Sequence, residues 1–206
     1  MLLHIPDVLT AHDLAAIRAG LRQAEWQGGQ AAASPDAARI VQAALARSAL
    51  FFAAALPVRS LPPLFQCTES GQHAPLDAIG ALRRGPDGTL LRADVGATLF
   101  LSGPGDYDGG ELLVNDSYGE HEVKLAAGDL VVYGAASPRR VTPVTRGTRL
   151  SAVFATQSMV SDDVERAMLF DLDRTIQALR ARIGDGEETV SLTSHYHNLL
   201  RHWART

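Results

Sequence analysis

Two helical segments open the chain, since apolar residues recur there at intervals of three and four positions. Thr10 followed by Asp13 matches the pattern of a capping box, which predicts a helix start at Thr10. The apolar face of this helix consists of Leu14, Ile17, Leu21 and Ala24. A loop rich in glycine and alanine follows at 28–33, and a second helix is predicted over Ala37–Ala55, ending before Pro57.

The central part of the chain, Leu64–Thr156, changes to short β-prone runs separated by turn residues. The predicted strands include Gly96–Ser102, Glu111–Val114, Glu122–Leu125, Asp129–Tyr133 and Arg149–Thr156. The connections between them, such as 103–110 and 126–128, are rich in Gly, Pro and Asp. Many short strands at this spacing predict a sandwich or a barrel, with a jelly roll among the candidates.

The chain becomes helical again after Ser161. Asp162, Asp163 and Glu165 fall in a first turn, where the helix dipole favours acidic side chains. An apolar stripe then repeats at helical spacing and ends at Gly184; it consists of Met168, Leu172, Ile176, Leu179 and Ile183. A last helix carries Leu192, Tyr196, Leu199, Leu200 and Trp203 on one side. Both stripes predict packing on the core of the protein rather than a cofactor or partner site.

The composition is that of a folded domain, because 46% of the 206 residues are hydrophobic and 20% are charged. The net charge of -4 provides no basic surface, so we expect no nucleic-acid partner. Cys67 is the sole cysteine, which excludes an intramolecular disulfide and a zinc site built from thiolates. The longest apolar run, Ala49–Leu56, is too short to cross a membrane, and residues 1–10 lack the basic start of a signal peptide. We therefore expect a cytoplasmic protein without a membrane partner.

Three long runs of the central part resemble one bacterial enzyme family. They read ATLFLSGPGDYDGGELLVND from Ala97, VKLAAGDLVVY from Val123 and VTPVTRGTRLS from Val141. These runs are similar to the core of the PKHD-type hydroxylases, members of the iron(II)/2-oxoglutarate-dependent dioxygenase superfamily. The resemblance implies an α+β, mainly β fold: a double-stranded β-helix (jelly roll) with N-terminal helices over residues 1–160. It further implies a C-terminal helical extension over residues 161–206, packed on that domain.

The metal-binding positions of that family carry other residues in this chain. The family holds iron with a His-x-Asp pair and a distant His, which leaves positions for 2-oxoglutarate and oxygen. By the resemblance, Asp77 stands at the first His, Ile79 at the Asp and Arg139 at the distant His. Ile79 has no donor atom, and an arginine keeps its proton in a protein. Glu69 and His73 do not replace the triad, since loop ligands without a rigid scaffold hold metal poorly. We therefore predict no cofactor: the iron and 2-oxoglutarate expected of the family are lost.

Two interpretations of Asp77 and Arg139 remain open. Ligand positions of one metal lie close together, so an Asp and an Arg placed there can form a charge-assisted pair where iron would have been. Alternatively, both residues face water separately. Arg140 is interpreted as a solvated residue at a strand end.

Arg149 matches, by the same resemblance, the arginine that binds the far carboxylate of 2-oxoglutarate. Ser151 completes an Arg-x-Ser pattern of the wider superfamily. Together with Arg139 and Asp77, these two residues are the candidate ligand-binding residues, and their ligand would be a small anion. The alternative is that Arg149 is structural, as arginines on late strands commonly are.

Three functions are compatible with this pattern. The first is a pseudoenzyme that binds a small anion or a protein partner, either another copy of the chain or an active homologue. The second is a metal-independent enzyme in which Asp77 is the acid or base and Arg139 or Arg149 contacts an anionic substrate. The third is a dioxygenase with an unorthodox metal site. The first predicts a pocket filled or sealed by side chains, and the second predicts an open pocket in which a ligand can reach Asp77.

Overall fold

The computed structural model describes residues 1–31 and 34–205, which form the following elements. The helices are α1 (Ala11–Arg22), α2 (Pro35–Arg47), α3 (Ala49–Ala55), α4 (Asp163–Ile183) and α5 (Glu187–Trp203). The first strands are β1 (Leu2–Ile5), β2 (Trp26–Gln27), β3 (Gln30–Ala31), β4 (Pro57–Ser60), β5 (Leu64–Glu69), β6 (Ala74–Asp77), β7 (Leu82–Arg84) and β8 (Leu90–Arg92). The others are β9 (Val95–Phe100), β10 (Tyr107–Gly109), β11 (Leu112–Asp116), β12 (Gly119–Val123), β13 (Leu130–Gly134), β14 (Arg139–Val141) and β15 (Val144–Ser158).

Two antiparallel sheets contain most of these strands. In the described residues, the larger sheet has the order β1-β13-β9-β15-β5-β3-β2, and β4 and β10 also pair with β15. The smaller sheet has the order β12-β11-β14-β6, while β7 and β8 form a separate hairpin. Strand β15 is the longest of them, and it pairs with β5 on one side and with β9 on the other.

Strand β9 shows how the larger sheet is covered on both faces. Successive side chains of a strand point to opposite faces, and all six residues of β9 are buried. Leu99 packs with Ile17 and Val41 of the N-terminal helices. Phe100, the next residue, packs instead with Leu112 of the smaller sheet. The helices thus cover one face of the larger sheet, and the smaller sheet covers the other, as a jelly roll requires.

The first helix begins as the sequence predicts, with a capping box. The Thr10 hydroxyl accepts from the Asp13 amide at 3.1 Å, and the Asp13 carboxylate accepts from the Thr10 amide at 3.2 Å. The predicted single helix over 37–55 is wrong, because the chain breaks at Ser48 into α2 and α3. Ser48 has an extended backbone, and its hydroxyl accepts from the Phe51 amide, which caps α3.

The predicted loop at 28–33 is in part a hairpin of β2 and β3, turned by Gly28 and Gly29 with positive φ. Residues 32 and 33 of that loop lie outside the described residues. The predicted connection 103–110 likewise contains a short strand, β10. Its Gly109 has φ 68°, and a Cβ there would lie 2.1 Å from the carbonyl oxygen of Pro143. Only glycine fits this turn into β11 without strain.

The C-terminal helices are where the sequence predicts them, and Asp162 caps α4 by accepting from the amides of Val164 and Glu165. The predicted stripe of α4 is partly wrong: Met168 and Ile183 are exposed, whereas Leu169 and Ile176 are buried. Leu169 packs with Leu56 and Val160, and α5 adds Tyr196, Leu199, Leu200 and Trp203 to this cluster.

No single helix among the described residues is long and apolar enough to cross a membrane. The pair α2 and α3 reaches the required length and composition only when taken together. The two helices are bent by 83° at the break between them.

Candidate functional site

Strand register brings Asp77 and Arg139 together at the edge of the smaller sheet. Strands β6 and β14 are antiparallel neighbours in which Asp77 is the direct partner of Arg139. The Asp77 Oδ2 atom lies 3.5 Å from Arg139 Nη2. The side chain of Asp77 is 70% exposed, however, and that of Arg139 is 17% exposed. The two residues therefore form an ion pair, but its carboxylate lies in solvent rather than inside the barrel.

Ile79 follows β6 and turns inward. A Cβ on Gly96 would lie 2.7 Å from the Cδ1 of Ile79 and 2.4 Å from the Cε2 of Tyr133, so both side chains pack directly over the backbone of β9. Ile79 is half-buried and joins the apolar cluster of Phe100, Leu112 and Tyr133. The Ile79 side chain therefore contributes apolar surface at this end of the smaller sheet.

Arg149 is a buried cation on β15, with only 1% of its surface exposed. Its Nη1 donates to the Ser151 hydroxyl at 2.8 Å, and its Cζ lies 5.4 Å from the centre of the Phe100 ring. The Nε and Nη2 atoms have no hydrogen-bond acceptor among the described residues. Burial lowers the pKa of Arg149, and the neighbouring hydroxyls of Tyr107 and Tyr133 oppose this shift. An arginine stays charged under these conditions, so Arg149 is a cation whose bonding capacity is largely unused.

Two adjoining cavities open between the sheets at this place. The smaller, of ≈ 70 Å³, is lined by Arg139 and Arg149 together with Gln66, Ala74, Pro75, Asp77, Thr98, Leu112, Arg140, Val141 and Val153. The larger cavity has a volume of ≈ 310 Å³, and Ile79 and Tyr133 belong to its lining. The other lining residues are Leu61, Pro62, Leu64, Gln66, Asp77, Arg83, Arg139, Val153, Phe154 and Ala155. Asp77 and Arg139 border both cavities. The barrel mouth is thus narrowed by Ile79 but not sealed, and Asp77 is reachable from it.

A buried hydroxyl pair lies beside the two arginines and was not predicted from the sequence. Thr98 Oγ1 and the Tyr133 hydroxyl are 3.0 Å apart, and Arg139 Cζ lies 5.8 Å from the centre of the Tyr133 ring. Burial raises the pKa of Tyr133, while the charges of Arg139 and Arg149 oppose that shift. The one available signal was Thr98 itself, the sole polar side chain in the apolar strand VGATLF.

The residues at the mouth do not fit an iron ion. Asp77 supplies a carboxylate, but Ile79 has no donor atom and Arg139 is a cation that would repel the metal. The described residues contain no group of three His, Cys, Asp or Glu side chains that could hold a metal ion. Glu69 and His73, which could have suggested a replacement site, are both exposed at the end of β5 and in the turn after it.

Arg140, next to Arg139, has a different environment. Its Nη2 lies 3.0 Å from Glu120 Oε2, and both side chains are partly exposed. Arg140 is therefore exposed, as expected, but it is the middle residue of β14 rather than a strand-end residue, and part of it borders the smaller cavity.

Comparison with known proteins identifies a family over the whole chain. The PKHD-type hydroxylase C-terminal domain matches residues 163–205. A PKHD-type hydroxylase of Janthinobacterium sp. (strain Marseille) is 49% identical, with 99% of each chain covered. The PKHD-type hydroxylase YbiX of Escherichia coli O17:K52:H18 is 45% identical, again with 99% of each chain covered. The alignment with the Janthinobacterium protein spans 224 residues, more than the 206 of this chain. This chain therefore carries deletions when it is compared with that protein.

Solved structures share the fold. A prolyl-4-hydroxylase of Pseudomonas putida superposes with a TM-score of 0.51 at 22% identity, covering 76% of this chain and 92% of that one. The protein HygX of Streptomyces hygroscopicus, solved with nickel, 2-oxoglutarate and hygromycin B bound, gives 0.52 at 18% identity and covers 78% of this chain and 84% of that one. The predicted double-stranded β-helix with flanking helices is therefore confirmed.

Proposed function

The chain belongs to the PKHD-type hydroxylase family, and from this premise we propose that it is a member that neither holds iron nor hydroxylates. It acts instead by binding a small anion in the barrel mouth. Its relatives carry the name hydroxylase, whereas the residues at the mouth of this chain have a different chemistry.

The observation that carries this proposal is the set of three side chains at the family's ligand positions. Asp77 is mostly exposed to solvent, Ile79 packs over Gly96, and the guanidinium of Arg139 lies 3.5 Å from the Asp77 carboxylate. Iron(II) needs neutral imidazoles or carboxylates within about 2 Å. A fixed positive charge at the site opposes a divalent ion, and Asp77 alone cannot hold one.

The same substitutions weaken the case for 2-oxoglutarate as a ligand. In the family, this cosubstrate is held at one end by an arginine and at the other by chelation to iron. Arg149 retains the first contact here, but the chelate has no counterpart. We therefore expect 2-oxoglutarate to bind weakly, with a dissociation constant well above micromolar in calorimetry.

An assay of uncoupled turnover tests the proposal. The purified chain is mixed anaerobically with Fe(II), and then 2-oxoglutarate and air are added while oxygen use and succinate are followed. We expect neither signal to rise above that of Fe(II) without protein. Succinate formed in proportion to the amount of protein would contradict the proposal.

A second candidate function is metal-independent catalysis, and the exposure of Asp77 favours it. This carboxylate borders both cavities, so a substrate can reach it. Among the described residues, the other titratable groups lining the cavities are arginines and Tyr133. An acid–base reaction that needs a second proton-transfer group beside Asp77 would therefore use Tyr133. Tyr133→Phe would abolish such a reaction, whereas binding without turnover would survive that change.

A further inference from the structure

The smaller cavity has an excess of positive charge and unused donors. Three guanidinium nitrogens there, Nε and Nη2 of Arg149 and Nη1 of Arg139, are buried and have no acceptor among the described residues. Asp77 contributes a carboxylate to the lining of this cavity, but that carboxylate lies 3.5 Å from Nη2 of Arg139 and is mostly in solvent. Buried donors in proteins are nearly always satisfied. The Tyr107 hydroxyl, which interacts with Arg149, is likewise buried without a hydrogen-bond partner among the described residues. The three nitrogens therefore have unused donor capacity, and an oxyanion supplies acceptors for it.

The size of the cavity limits what enters it. Its ≈ 70 Å³ exceeds the roughly 10–15 Å³ that one water molecule needs, so it can admit an oxyanion group. The remainder of a ligand would extend into the neighbouring cavity of ≈ 310 Å³, because Gln66, Asp77, Arg139 and Val153 border both.

Four aliphatic side chains line the larger cavity, those of Leu61, Ile79, Val153 and Ala155, and the Tyr133 ring adds to this apolar part. Gln66, Asp77, Arg139 and the exposed Arg83 make the rest of its lining polar. Ile79 has an aliphatic side chain at the position where the family has a charged ligand. A hydrocarbon body fits the apolar part of this lining around Ile79, because it buries apolar surface there without adding a polar group to be desolvated.

We propose that the site binds a carboxylic acid with an apolar body, its carboxylate between Arg149 and Arg139 and its body over Ile79. Arg139 then supplies the positive charge that a metal supplies in the family. This inference rests on the proposed function, because a metal in the mouth would need the space that Arg139 and Ile79 occupy.

The proposal predicts discrimination against 2-oxoglutarate. Pentanoate has the same five-carbon chain but lacks the keto group and the second carboxylate. That second carboxylate would lie near Ile79 and beside Asp77, a like charge that borders the same space. Of the two arginines that line this cavity, Arg139 contacts the first carboxylate in this arrangement and Arg83 is exposed to solvent. Pentanoate has no such group to desolvate, so it should bind more tightly.

Calorimetric titration of the full chain with acetate, propanoate, pentanoate, 2-oxoglutarate and inorganic phosphate tests this. We expect affinity to rise from acetate to pentanoate by about fourfold per buried methylene, with 2-oxoglutarate weaker than pentanoate by at least about tenfold. Arg149→Met and Arg139→Met should each weaken pentanoate binding by about tenfold or more. The matched control is Arg146→Met, because Arg146 is exposed, pairs with Asp108 at 2.7 Å and lines neither cavity.

The outcomes separate the two proposals. Equal affinity for acetate and pentanoate, preference for phosphate, or equal losses in the Arg146→Met control would overturn the inference. If either cavity variant does not fold, the ranking of the five ligands on the unmodified chain still decides it. Metal content is measured on the same protein: metal-free protein that binds no carboxylate contradicts only this inference, whereas stoichiometric metal contradicts the proposed function itself.

Discussion

Replacing Arg149 by methionine is predicted to stabilise the ligand-free chain. Arg149 is almost fully buried, and two of its nitrogens have no acceptor among the described residues. A buried charge without a carboxylate partner is costly, and exchange for an apolar side chain of similar length removes that cost. Methionine is unbranched and flexible enough to fill the space that the aliphatic part of Arg149 occupies.

The magnitude follows from the interactions that the substitution removes. Each unsatisfied buried donor costs about 1–3 kcal/mol, so two of them cost at least about 2 kcal/mol. The substitution loses the bond to the Ser151 hydroxyl, about 1 kcal/mol, and the interaction with the Phe100 ring, about 0.5–1 kcal/mol. Removing the buried charge adds to the stabilisation. We expect a net increase of about 1–3 kcal/mol in the free energy of unfolding, or about 3–10 °C in Tm.

Urea unfolding followed by circular dichroism measures this change, in a buffer without carboxylate or phosphate. Arg166→Met is the matched control, because Arg166 is equally buried but its Nη1 donates to the Val160 carbonyl at 2.7 Å and its Nη2 pairs with Asp163. Replacing Arg166 leaves the Val160 carbonyl and Asp163 without their donor and should lower the free energy of unfolding by about 1–3 kcal/mol. If Arg149→Met lost as much stability as the control, the view that the unpaired nitrogens of Arg149 destabilise the ligand-free chain would be refuted.

Asp77, Ile79 and Arg139 at the cavities, and the carboxylate of Glu111, give three more predictions. A double-mutant cycle of Asp77→Ala and Arg139→Ala should show a coupling energy of about 0.5 kcal/mol, since the carboxylate is exposed and the two charged atoms are 3.5 Å apart. A coupling energy above about 2 kcal/mol would mean that the ion pair is shielded from solvent, contrary to the structure. The triple variant Asp77→His, Ile79→Asp, Arg139→His should bind Co(II) in an absorption titration yet not hydroxylate; a folded variant without Co(II) affinity would mean that β6 and β14 do not present these positions as a metal site needs. A hydrogen bond from Thr142, followed by other interactions, lowers the pKa of Glu111 below its usual 4.5. Glu111 therefore stabilises the fold at neutral pH and loses that contribution as the pH falls through its lowered pKa, so Glu111→Gln should flatten the urea midpoint between about pH 5 and 3.

The fold could be predicted from the sequence because local pattern and resemblance agreed for most elements. Glycine, proline and aspartate separate the strands, and β9, β11 and β13 lie within two residues of their predicted bounds, whereas β15 begins five residues before its predicted start. The break at Ser48 was missed because α2 and α3 share one apolar, alanine-rich run without Pro or Gly between them. Ser48 caps α3 at a point where the two helices bend by 83°, and helix propensity does not contain such a change of direction.

The candidate site was predicted in its residues but not in its geometry. The resemblance placed Asp77 and Arg139 near each other, and the strand register brings them into direct pairing. The exposure of Asp77 depends on β6 being the outer strand of the smaller sheet, which no residue in its own sequence reveals. Tyr133 and Thr98 were missed because single hydroxyls in apolar strands look like ordinary core positions until two strands align them.

Metal content tests the central claim most directly. The purified chain is reconstituted anaerobically with Fe(II), Mn(II), Co(II) or Ni(II), freed of excess metal and analysed for its elements, with the triple variant carrying the restored triad as the positive control. The structure predicts far less than one metal ion per native chain, because Ile79 lies in the apolar interior and Arg139 places a positive charge at the site. About one tightly bound ion per native chain would contradict that claim.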